Sequence, residues 1–141
     1  MGGFIDLHVD LLKGGMETYG VRENALFVPG NVDPRYERWL AFSGTSVTLD
    51  DEQHYLDSHL SYQRACLHAI DYLTRFGWSP EQAYMILGAA PIEGRLSGVV
   101  DIPNSCSTVY IPTAVFDIDV LPSAAGPTRI DPGAGVPRSG F

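Results

Sequence analysis

The sequence predicts an α+β protein in which antiparallel sheet strands carry a helical hairpin packed on one face. Three observations carry that expectation. Residues 4–12, FIDLHVDLL, alternate apolar and polar side chains with the period of a half-buried strand. Residues 57–88 show helical spacing with two helix starts. Residues 96–111 return to short apolar and β-branched runs around a Pro103-Asn104 corner.

In the first strand Ile5, Leu7, Val9 and Leu11 point one way while Asp6, His8 and Asp10 point the other. Gly14-Gly15 interrupts it as a bulge or a close backbone approach would, and residues 16–21 are expected to continue it to Val21. Residues 22–38, with Pro29-Gly30 and Asp33-Pro34, read as a surface loop. Trp39 to Leu49 is aromatic and β-branched, which predicts a second strand with an irregularity at Gly44.

Residues 57–76 are the clearest helix, capped by Asp57 or Ser58. Asp57, Ser61, Arg64, His68, Asp71 and Arg75 recur at spacings of three and four as a polar stripe. Tyr62, Cys66, Ala69, Leu73 and Phe76 form the opposite one. Leu60, Leu67 and Ile70 widen the apolar side, so sheet or another chain is expected to cover more than half of the helix. Gly77 supplies a left-handed stop. A second helix opens at Ser79 with Pro80 in its first position and Gln82 placed to return a hydrogen bond to the cap amide; it is expected to stop at Gly88. After the Pro91–Gly94 turn, strands are expected over residues 96–102 and 107–111. From Leu121 onward Pro122, Pro127, Pro132 and Pro137 stand among Gly, Ala and Ser, so residues 1–121 read as the folded domain and 122–141 as a flexible tail.

The chain has 141 residues, 45% of them hydrophobic and 18% charged, which suits one soluble globular domain. Seventeen acidic against nine basic residues give a net charge of -8, which argues against nucleic acid or an anionic membrane as partner. The apolar runs are too short for a bilayer span, and the Met-Gly-Gly start lacks signal-peptide character, so a cytoplasmic chain is expected. Cys66 and Cys106 belong to no Cys-x-x-Cys pair and read as buried thiols.

Candidate chemistry is sparse. Asp6, His8 and Asp10 share a strand face that could meet a metal or a reacting water, or could be a solvated face. His54 beside Glu52 reads as a local hydrogen-bonding partner, His59 could lie toward the buried side, and His68 sits on the polar stripe beside Arg64 and Asp71. Ser97, Ser105, Cys106 and Ser107 offer nucleophilic atoms with no histidine nearby in sequence. In the stretch LGAAPIEGRLSGVVDIPNSCS (87–107), Glu93 and Arg95 flank a glycine and Asp101 closes an apolar run before Asn104. That pattern fits a pocket wall, and it equally fits a solvated turn pair with Asp101 capping the corner.

KGGMETYGV (13–21), QHYLDSHLSYQRACLHAIDYLTRFGWSPEQAYMILGAAPIEGRLSGVVDIPNSCSTVYIPT (53–113) and the opening strand resemble the formamidase/acetamidase family of short-chain amide hydrolases, closer to its formamidase branch, from Phe4 to about Pro122. The resemblance covers the C-terminal third of the family's length. It implies hydrolysis of a small linear amide, such as formamide to formate and ammonia, by a cytoplasmic homo-oligomer. The family's Gly-Asp-x-His-x-x-Gln-Gly-Asp-Gly-Glu and Gly-Gly-Asn segments, which are expected to hold a divalent metal (zinc by expectation) and to activate water, find no counterpart in these residues. No metal is therefore expected to bind this chain alone, its catalytic residues stay unassigned, and Glu93, Asp101 and Asn104 are expected to shape the substrate pocket. His8, Asp10 and Glu93 depart from the family pattern, so the resemblance gives them no obligatory catalytic role. The isolated chain is expected to be inactive and to self-associate or to pair with the missing N-terminal portion. The alternatives are a non-catalytic complementing or assembly subunit and a small ligand-binding module at the Glu93–Asn104 corner.

Overall fold

The computed structural model describes residues 11–20 and 26–133. The elements run α1 (Gly15–Tyr19), β1 (Leu26–Phe27), β2 (Trp39–Thr45), α2 (Ser58–Thr74), α3 (Pro80–Ala89), β3 (Glu93–Gly98) and β4 (Cys106–Pro112), followed by a 3-10 turn at Thr113–Val115. The strands form one four-stranded antiparallel sheet in the order β1-β2-β4-β3, with α2 lying across β2 and β4. This is the expected α+β arrangement, with both helices of the hairpin packed together.

Alternation along the strands decides which residues meet α2. Leu40 pairs with Ile111 and Phe42 with Val109. All four are buried against Ala65, Ala69, Tyr72 and Leu73. Tyr72 is the centre of this core: its ring stacks on Tyr19 at 5.4 Å and touches Phe42 at 5.3 Å and Phe76 at 5.2 Å. Its buried hydroxyl donates to the Val120 carbonyl, and burial pushes its pKa far above the usual phenol range.

Several expectations change. Residues 15–19 form a short helix with Gly14 and Gly20 at positive φ on either side, in place of the strand continuation expected there; residues 1–10, including Asp6, His8 and Asp10, lie outside the described residues, as does Val21. The expected loop over 22–38 contains β1, which pairs Leu26 with Phe42. The second strand ends at Thr45. Gly44 keeps regular register within it, and its bareness serves helix packing: a Cβ there would lie 2.2 Å from the Ser61 carbonyl oxygen and 2.4 Å from the Ala65 nitrogen. Because α2 sits this close, Ser61 and Arg64 of the polar stripe are buried, while Tyr62 of the expected apolar stripe is 38% exposed. The Ser61 hydroxyl is satisfied there by Ser107 Oγ at 2.7 Å.

The caps follow the sequence closely. Asp57 accepts from the Leu60 amide at 2.9 Å. Ser79 and Gln82 close a capping box around Pro80, and α3 ends at Ala89. The first strand after α3 begins at Glu93, earlier than expected, and an irregularity falls between Leu96 and Gly98. Residues 122–133 run back across the body. Tyr19 hydroxyl bridges the Ser123 backbone, Ile130 donates to the Phe76 carbonyl at 2.8 Å, and Gln82 donates to the Gly133 carbonyl at 3.0 Å.

Candidate functional site

The β3–β4 connection and the loop after β2 meet at one end of the sheet. Gln53 is the hub there. Its amide nitrogen lies 2.8 Å from Asn104 Oδ1, 3.1 Å from the Ser46 carbonyl, 3.3 Å from the Pro103 carbonyl and 3.4 Å from the Ser46 hydroxyl and the His54 carbonyl. The Ser46 hydroxyl also accepts from the Ser105 amide at 3.1 Å, and the Leu56 amide donates to the Pro103 carbonyl at 3.1 Å. Ser105 Oγ is buried without a partner. Two loops that are far apart in sequence are thereby tied at the corner, which holds a cis Ile102-Pro103 bond.

The expected pocket residues do not converge. Glu93 opens β3 opposite Tyr110 and bonds Arg95 at 2.9 Å, on the sheet face away from α2. Asp101 is exposed in the connection beyond Gly98, where its carboxylate accepts from the Ile102 amide at 2.8 Å. At roughly 3.3 Å per residue, β3 separates the two by about 16 Å of strand. Asn104 is exposed and engaged by Gln53. The four best-formed cavities among the described residues are lined by other residues.

The one with the most charged lining is a cleft of about 440 Å³ beside α2, lined by Arg64, His68, Asp71 and Arg75 with Gly20, Leu49 and Leu67. His68 Nδ1 lies 2.9 Å from the Ser43 carbonyl, which can only accept, so Nδ1 carries the proton and Nε2 the lone pair in the neutral ring. Gly20 leaves room for Arg75: a Cβ there would lie 2.7 Å from its Nη2. The helical spacing of these side chains was visible in sequence; the enclosing Ser43 and Gly20 contacts join distant segments and had no local signal. Of the other described histidines, His54 approaches Glu52 at 3.7 Å, and His59 is exposed and does not lie toward the buried side as it could have.

On the opposite sheet face Ser43, Thr108 and Ser97 link their hydroxyls at 2.9 and 2.6 Å across three strands. Cys66, half-buried beside Tyr62, is pushed up in pKa by burial. Among the described residues no group of three or more His, Cys, Asp and Glu side chains could hold a metal ion, so these residues do not fit the zinc site that the resemblance implies.

An antiparallel sheet with a helix pair on one face and a hydrogen-bonded corner at one end of the sheet defines an α+β chain. The chain belongs to the Acetamidase/Formamidase family, whose model matches residues 1–118. It is 48% identical to a formamidase from Methylophilus methylotrophus over 137 residues, covering 96% of this chain and 33% of the relative. An acetamidase from Mycolicibacterium smegmatis is 57% identical over 95 residues, 67% of this chain and 23% of that protein. Among solved structures, a gamma lactamase from Delftia acidovorans superposes with a TM-score of 0.69 at 48% identity, over 86% of this chain and 30% of that one. The chain thus spans about a third or less of the length of these relatives. No helix among the described residues is long and apolar enough to cross a membrane.

Proposed function

We propose that this chain is the C-terminal portion of a cytoplasmic hydrolase that cleaves the C–N bond of short linear amides, formamide to formate and ammonia. In this reading the catalytic segment lies in the part of the family's length that this chain does not span. The observation that carries it is the 48% identity to a formamidase over 96% of the chain, a wider match than the acetamidase gives. The residues described here then act as a scaffold: Gln53 fixes the Pro103-Asn104 corner, and the α2–sheet core holds that corner in place.

Co-expression with the N-terminal two-thirds of the Methylophilus methylotrophus formamidase tests this reading. The assembled pair is expected to release ammonia from formamide in preference to acetamide, by about 10- to 200-fold for the one-methyl difference. A stable pair without turnover on either amide sinks the hydrolase reading. It would favour the alternative of a non-catalytic assembly subunit.

A further inference from the structure

β3 is the last strand in the sheet order, so its outer edge has no strand partner among the described residues. It is flanked by two apolar features. On its C-terminal side the hairpin tip exposes Val100 (96%) and Ile102 (65%), with Leu96 half exposed on the strand itself. On its N-terminal side lies an apolar groove of about 680 Å³ lined by Trp78, Ile86, Pro91 and Phe116. A protrusion and a groove at opposite ends of one open strand are what self-pairing about the strand's midpoint would bring together.

We propose that two copies of this chain join through β3, antiparallel, with a two-fold axis at Gly94. Charge fixes the register. Centring on Gly94 sets Glu93 opposite the second copy's Arg95 and Arg95 opposite its Glu93, while centring on either neighbour opposes like charges. Arg95 is already placed for this, since its guanidinium lies 5.2 Å over the Tyr110 ring and 2.9 Å from Glu93. On the α2 face the same register sets half-buried Ile92 against the second copy's exposed Leu96. Pro91, which has no amide proton, and the irregularity after Leu96 bound the paired segment to residues 92–96. Carried past those limits, the register brings the Val100 tip of each copy to the other's α3–β3 groove. The sheet becomes continuous through eight strands with both α2 helices on one face, and the open edge is removed. The inference is independent of the hydrolase reading.

Sedimentation of the full chain across a dilution series tests it, with circular dichroism confirming that each variant is folded. The chain is expected to sediment as a dimer that dissociates on dilution. Arg95→Glu, which sets glutamates opposite each other, is expected to raise the dimer dissociation constant about tenfold or more. The double exchange Glu93→Arg with Arg95→Glu is expected to restore it. A chain that is monomeric throughout overturns the proposal, as does a dimer indifferent to Arg95→Glu or one that the exchange fails to recover. Should Arg95→Glu not fold, Val100→Asp carries the same test by withdrawing the tip from the groove; an unchanged dimer then overturns the proposal.

Discussion

Gly44 sets how near α2 approaches the sheet, because the Ser61 carbonyl and the Ala65 amide occupy the space a side chain would need. Gly44→Ala must push helix and strand apart. It is expected to cost at least about 1–3 kcal/mol, read as a lower denaturant midpoint at unchanged slope. Gln53 acts through hydrogen bonds rather than packing. Gln53→Leu strips the donor shared by Asn104, Ser46 and the Pro103 carbonyl, with an expected loss of about 1–3 kcal/mol and faster amide exchange at Leu56 and Ser105. Tyr72 and Cys66 give the pH behaviour. Burial raises both pKa values, so both groups stay neutral in the folded state where the unfolded chain begins to ionise. Their contribution is complete below the unfolded values, about 8.5 for Cys and 10 for Tyr, and is lost as pH rises beyond them. The melting temperature is expected to fall through that alkaline range; a flat profile there would contradict the placement of Tyr72 in the core and of Cys66 half-buried beside it.

At the level of elements, local chemistry was legible and distant packing was not. The Ser79-Pro80-Gln82 start of α3 uses contacts within four residues, and the structure shows each of them. Ser79→Ala is expected to cost about 1 kcal/mol by thermal unfolding, with the loss confined to the α3 end by hydrogen exchange. The polar stripe of α2 was harder to place, since its period told which residues share a face but not that Gly44 would admit Ser61 and Arg64 beneath the helix. Residues 16–21 read as a strand continuation because Met16, Tyr19 and Val21 suit either structure, and the helix over 15–19 is held by Tyr19 stacking on Tyr72 and bonding Ser123 across 104 positions. The Glu93–Asn104 stretch looked like one site because its polar residues are close in sequence. The extended β3 strand instead carries Glu93 away from Asp101 and Asn104. What ties Asn104 in place is Gln53, 51 positions away, which no spacing rule reaches.

For the molecule as a whole, the family assignment and the third of its relatives' length that the chain spans pose one question: whether this polypeptide supplies chemistry or support. In the proposed reading, the core built on Tyr72, Phe42 and Ile111 and the corner tied by Gln53 present a wall to a site completed by other polypeptide. The open β3 edge gives the same body a means of assembling. Under the proposed function the chain supports amide hydrolysis without carrying it out alone. Ammonia release from formamide by the purified, folded chain, measured with and without added zinc, tests this most directly. The account predicts none above the uncatalysed background in either condition. Sustained turnover that grows in proportion to chain concentration would contradict it.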